Sequence, residues 1–91
     1  MQDLISALEK TIGFLEKSED SAWSNKTALE AKNILIKELK IFEEKQTFSF
    51  FGKTKIKFLF LPTGALQEIS IDNGWGDEYL KISEIVDKYI V

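Results

Sequence analysis

A chain of 91 residues, 44% of them hydrophobic, fits one domain with a modest core and leaves no room for a second. With neither cysteine nor histidine it has no disulfides, zinc-finger ligands, thiol nucleophiles or imidazole bases, which removes most enzyme classes. Fifteen acids against twelve bases give a formal net charge of −3, and every base is a lysine; without arginine's planar fork, nucleic acid is not an expected partner.

The first predicted element runs from Asp3 to Lys17, where Leu4, Ile5, Leu8, Ile12 and Leu15 recur at the spacing of one helical face. Ser18, Glu19, Asp20 and Ser21 break that pattern with residues that prefer caps and turns. Thr27, followed three positions later by Glu30, is a capping box, so a second helix is expected from about 28 to 45. Its apolar face is Ala28, Ala31, Leu35, Leu39 and Phe42, widened by Ile34 and Ile41. Two such helices joined by a short connection form an antiparallel hairpin, with Trp23 placed to close one end.

Residues 46–61 read two ways. Ile56, Phe58 and Phe60 alternate with Lys55, Lys57 and Leu59 as in a strand, while Ile56, Leu59 and Phe60 also satisfy helical spacing. Pro62 ends either element. Ala65–Ile71 is then a strand or about two helical turns with Leu66 and Ile69 inward. Asp72-Asn73-Gly74 marks a turn, because Asn and Gly tolerate positive φ. Asp77 and Glu78 open a last helix, whose buried face is Tyr79, Ile82, Ile85, Val86, Tyr89 and Ile90.

The segment 62–77 holds the only proline, three of five glycines and one of two tryptophans, which makes it the candidate site. Its chemistry resists specific assignment. Aligning Gly74 with the invariant glycine of a calcium loop puts Ile71 and Ile69 at ligand positions. Gly74 and Gly76 precede a helix, yet Asp72, Asp77 and Glu78 there would repel phosphate. Glu68, Asp72, Asp77 and Glu78 suit a solvated acidic face better than an acid/base pair. Lys53, Lys55 and Lys57 interleave with aromatics as in single-strand-binding sheets, but on a strand the cations and the rings would face apart. Trp75 fits a core plug and an interface anchor equally well.

Charge is unevenly distributed. Residues 32–67 carry seven lysines against three acids, and residues 68–91 carry two against six. No apolar run approaches the roughly 20 residues a bilayer span needs, and Asp3 and Glu9 stand where a signal peptide is positive. A cytoplasmic protein with no membrane partner is therefore expected. A core this small would gain from self-association, so a homodimer is one expected state.

The string FLFLPTGALQEISIDNGWGDEYLKISEIVD, from Phe58 to Asp87, resembles the C-terminal half of small uncharacterised bacterial proteins with an LF-x-PTG-x-LQEIS-x-x-NGW core. Trp23-Ser24 and Thr27-x-x-Glu30 match the same pattern loosely. The resemblance carries over no activity and no catalytic residue, but it implies a mainly helical fold with a short helix near 54–61 leading to Pro62. The expected fold is thus mainly α, a small single-domain helical bundle of two long helices, short helices and a C-terminal helix. The alternative is α+β, with a Phe-rich hairpin at 47–61.

Taken together, the residues favour a non-enzymatic protein-interaction module without a cofactor, presenting Gln67, Glu68, Asn73, Trp75 and Asp77 to a protein partner. An acidic, aromatic-bearing loop supplies both an anchor and electrostatic selection, so a basic partner is expected, as in an antitoxin or immunity protein. The alternative is a small-molecule or divalent-cation-binding domain, in which Glu68, Asp72, Asn73 and Asp77 converge.

Overall fold

The computed structural model describes residues 2–22, 24–61 and 64–90. Five helices follow in chain order: α1 (Gln2–Glu16), α2 (Ala28–Lys45), α3 (Phe50–Leu59), α4 (Ala65–Asp72) and α5 (Gly76–Tyr89). No strand occurs among the described residues. Trp23, expected to close the α1–α2 hairpin, and Pro62 lie outside them.

α1 lies between α2 and α5 and supplies the centre of the core. Its most buried residues are Leu4, Ala7, Leu8, Thr11 and Leu15, with Ile5 and Ile12 packed at the edge. The stripe is thus rotated slightly from the expected one, because small Ala7 and Thr11 let neighbouring helices approach. Thr11 is buried without penalty, since its hydroxyl donates to the Ala7 carbonyl at 2.8 Å.

α2 begins where its capping box places it. Thr27 Oγ1 accepts from the Glu30 N–H at 3.1 Å, and Glu30 Oε1 accepts from the Thr27 N–H at 3.0 Å. Hydrogen bonding to the Thr27 backbone N–H first, and to its side chain second, holds the Glu30 carboxyl below its ordinary value. Asp20 in the preceding loop adds a third acceptor, Oδ1 receiving the Ala28 N–H at 2.8 Å. The helix stops at Gln46, which is left-handed (φ 58°), and Phe42 then stacks on Phe48 with centroids 4.8 Å apart.

α3 overturns the hairpin alternative at 47–61. Ser49 caps the helix, its hydroxyl accepting from the Gly52 N–H at 3.0 Å, and Gly52, Ile56 and Leu59 turn inward at helical spacing. A two-stranded hairpin with no third strand beside it is marginal in water, whereas a helix pairs its own backbone and needs only one apolar stripe to dock. The cost is that Phe58, which a strand would have buried beside Ile56 and Phe60, is left 63% exposed.

Glu38 is the anomaly of this bundle. It occupies the inward stripe of α2 with Ala31 and Leu35, is 3% exposed, and its Oε1 has no hydrogen-bond partner. The carboxylate lies on Gly52 so closely that a Cβ there would collide with it. Gly52 belongs to the first turn of α3, which has no acid of its own, so Glu38 supplies negative charge to that helix end from outside. That interaction stabilises by about 0.3–1 kcal/mol, while an unsatisfied buried charged group costs upwards of about 1–3 kcal/mol. Desolvation outweighs it. Glu38→Met is therefore expected to raise stability by about 1–2 kcal/mol in chemical denaturation. A loss larger than about 1 kcal/mol would show that the helix-end interaction dominates.

α4 buries Ala65, Leu66, Ile69 and Ser70, so the 65–71 segment is helical, with Leu66 and Ile69 inward. It ends in a Schellman motif: Trp75 N–H donates to the Ser70 carbonyl at 2.9 Å and Gly74 N–H to Ile71 at 3.4 Å. Gly74 sits at φ 81°, the conformation that the Asn-Gly pair signals. α5 then packs Tyr79, Ile82 and Val86 against α1 and α4, and Ile90 joins the same core.

Candidate functional site

The 62–77 segment divides into a buried half and an outer half. Trp75, weighed equally as anchor and as plug, is a plug: it is 4% exposed and stacks on Phe14 of α1 with centroids 4.8 Å apart and planes 5° from parallel. Its Nε1–H donates to Ser18 Oγ at 2.9 Å, and that hydroxyl donates on to the Phe14 carbonyl at 2.8 Å. Tyr79 meets the indole edge-on and stacks on Phe60, so four rings run from α1 to the end of α3. Burial raises the Tyr79 phenol above its ordinary value.

Asn73 is likewise engaged within the fold. Its Oδ1 accepts from the Glu19 N–H at 2.8 Å, and its Nδ2 donates to the carbonyls of Glu19 at 2.8 Å and Ile69 at 2.9 Å. The amide therefore ties the loop after α1 to the end of α4, and both of its N–H donors are spent there. Two of the five expected site residues thus build the corner rather than present it. Among the described residues, no three side chains of the metal-ligating acidic, cysteine or histidine kinds come together.

Gln67, Glu68 and Asp77 stay on the outer side. Gln67 and Glu68 are half-buried and Asp77 is exposed. Between them lies an apolar pair the sequence did not single out. Ile71 is 58% exposed and Leu80 59%. Ile71 packs over Gly76, where a Cβ would stand 3.6 Å from its Cγ1, and Leu80 follows one turn further along α5. Along α4, Glu68 and Asp72 lie within one turn of Ile71, and along α5, Asp77 and Glu84 lie about one turn to either side of Leu80, with Lys81 the one base beside it.

A second surface of opposite sign lies on α3. Phe50 is 77% exposed and Phe51 75%, and Phe58 and Leu61 are exposed with them. At about 100° per residue, Phe50, Thr54, Phe58 and Phe51 occupy one outward sector about 100° wide. Lys53 and Lys57 fall on one edge of that sector and Lys55 on the other. The objection that rings and lysines face apart held only for a strand; on the helix they share one face. Comparison with protein families, with curated proteins and with solved structures finds no match to this chain. Its function must therefore be read from these surfaces themselves. Phe58 and Leu61 also wall a cleft of about 790 Å³ against α2, whose rim adds Lys26 and Lys37.

Sequence reasoning missed the α3 face because it followed the helical reading only for the inward Ile56, Leu59 and Phe60, and weighed the lysines and outer rings on a strand alone. Placing the same residues on a period of 3.6 shows three phenylalanines that the inward stripe Gly52, Ile56, Leu59 leaves outside. Glu38 carried a comparable signal, an acid on the spacing Ala31, Leu35, Glu38, Phe42.

Proposed function

We propose that this chain is a non-enzymatic protein-interaction module whose acidic α4–α5 surface receives a basic protein partner in the cytoplasm. The observation that carries the proposal is that Ile71 and Leu80 stand exposed with acids about one helical turn from each, Glu68 and Asp72 along α4 and Asp77 and Glu84 along α5. An apolar centre with a charged surround has the anatomy of an interface core and rim: the centre supplies affinity, and the carboxylates steer and select. The rigid corner beneath, fixed by Asn73 and Trp75, means that little ordering is left for binding to cost. An antitoxin-like or immunity-like neutralisation of a basic protein is one concrete form of this activity.

The test uses immobilised full chain to retrieve partners from lysate of the producing cells, alongside Leu80→Glu and Ile71→Ser variants. Both side chains are exposed, so the fold should persist, as circular dichroism would verify. A basic protein retained by the unaltered chain and released at least tenfold more readily by either variant is the expected result. Retention that ignores both substitutions would place the interface elsewhere.

A further inference from the structure

We infer that the outward face of α3 is a peripheral docking surface for an anionic lipid bilayer. This inference is independent of the protein partner proposed for α4–α5. Three phenylalanines and Leu61 stand exposed on or just beyond one ten-residue helix, and no other described segment covers them. Monomeric proteins rarely leave a contiguous aromatic strip in water unless something else receives it.

The charge arrangement selects the receiver. α3 has no acidic residue, and its lysines flank the aromatic sector on both edges, Lys53 and Lys57 on one side and Lys55 on the other. Lys26 and Lys37 of the adjoining cleft extend the positive field and outnumber its one acid, Glu38, while on the α5 side Asp87 lines a small groove together with Lys57. A helix lying in the plane of a bilayer requires this pattern. Its rings sink about 5–10 Å into the boundary between headgroups and acyl chains, and long lysines on both margins reach back to anionic headgroups.

Other occupants fit less well. A symmetric dimer through α3 would bring the lysines of two copies together. A protein groove would need acids on both sides of an aromatic slot. Single-stranded nucleic acid would stack on the rings, but the chain offers no arginine to hold the backbone. No described helix is long and apolar enough to cross the membrane, so the contact is at the surface only.

The experiment is co-sedimentation of the full chain with vesicles of phosphatidylcholine alone and of phosphatidylcholine with about one-third phosphatidylglycerol. Binding should be at least about tenfold stronger to the anionic vesicles and should weaken as salt rises. Phe50→Ser with Phe58→Ser should abolish it, as should Lys53→Glu with Lys57→Glu; all four side chains are exposed, and unchanged melting temperatures would confirm intact folds. No binding at low salt overturns the inference, as does binding that survives both double variants. Retention of an acidic leucine-rich peptide or a single-stranded oligonucleotide without vesicle binding also overturns it, and reassigns the face to that class. Ile71→Ser, at a residue that shares no groove with α3, should leave vesicle binding unchanged, which separates this surface from the protein-binding one.

Discussion

Trp75→Ala is expected to lower the unfolding free energy by about 3–5 kcal/mol, the cost of emptying a buried aromatic site. A 91-residue domain has only about 5–14 kcal/mol in total, so the variant should lose a large fraction of its stability and melt at a clearly lower temperature. The size of the effect follows from what the indole joins. It stacks on Phe14 of α1 and meets Tyr79 of α5 edge-on, and its N–H reaches Ser18 in the following loop. No neighbour can collapse into the space without breaking one of these contacts. Trp75→Phe separates the contributions: a ring remains on Phe14, while the Ser18 bond is lost and a smaller cavity forms. A loss of about 1–3 kcal/mol is expected, measured by urea unfolding. If Trp75→Ala unfolds at the same denaturant concentration as the unaltered chain, the plug assignment is wrong and the indole is free for a partner.

This expectation also changes what a binding experiment on Trp75 would mean. Loss of partner binding in Trp75→Ala would report a collapsed corner, not a missing anchor. Ile71 and Leu80 are the positions at which binding and folding can be separated, because each side chain is more than half exposed.

How far the sequence shows this structure varies with the range of the interactions. α1, α2 and the Thr27–Glu30 box are legible because their determinants lie within one or two turns. So is the turn at Asn73-Gly74, where a single positive φ decides the residue type. α3 is ambiguous because Ile56 and Phe60 satisfy both a period of two and a helical spacing; only Leu59 against Phe58 distinguishes them, and the bundle buries Leu59. Trp75 is illegible for a different reason. Its partners Phe14 and Ser18 lie about sixty residues away, and nothing local in 62–77 encodes that they arrive beneath it. The unusual composition of the segment marks a demanding corner, and its outer face is where the proposed binding belongs.

Asn73→Asp should be more damaging than Asn73→Ala, which inverts the usual ranking for a polar site. Removing the side chain deletes three hydrogen bonds, each contributing about 0.5–1.5 kcal/mol, so Asn73→Ala should cost about 2–4 kcal/mol. Aspartate keeps the shape and can still accept from the Glu19 N–H. Its second oxygen, however, takes the place of an amide that donates to two carbonyls, those of Glu19 and Ile69. Carboxylate and carbonyl oxygens would then face each other at about 2.8–2.9 Å without a proton between them. The negative charge would also fall at the C-terminal end of α4, where the helix dipole is itself negative. Both effects would raise the folded-state pKa of the new carboxyl, so Asn73→Asp should regain stability relative to Asn73→Ala as pH falls through that raised value, with the recovery complete once pH reaches the ordinary carboxylate range. Urea unfolding of the two variants at neutral and acid pH measures this directly. Equal stability at both pH values would mean that the Asn73 amide does not hold the loop after α1 to α4 in solution.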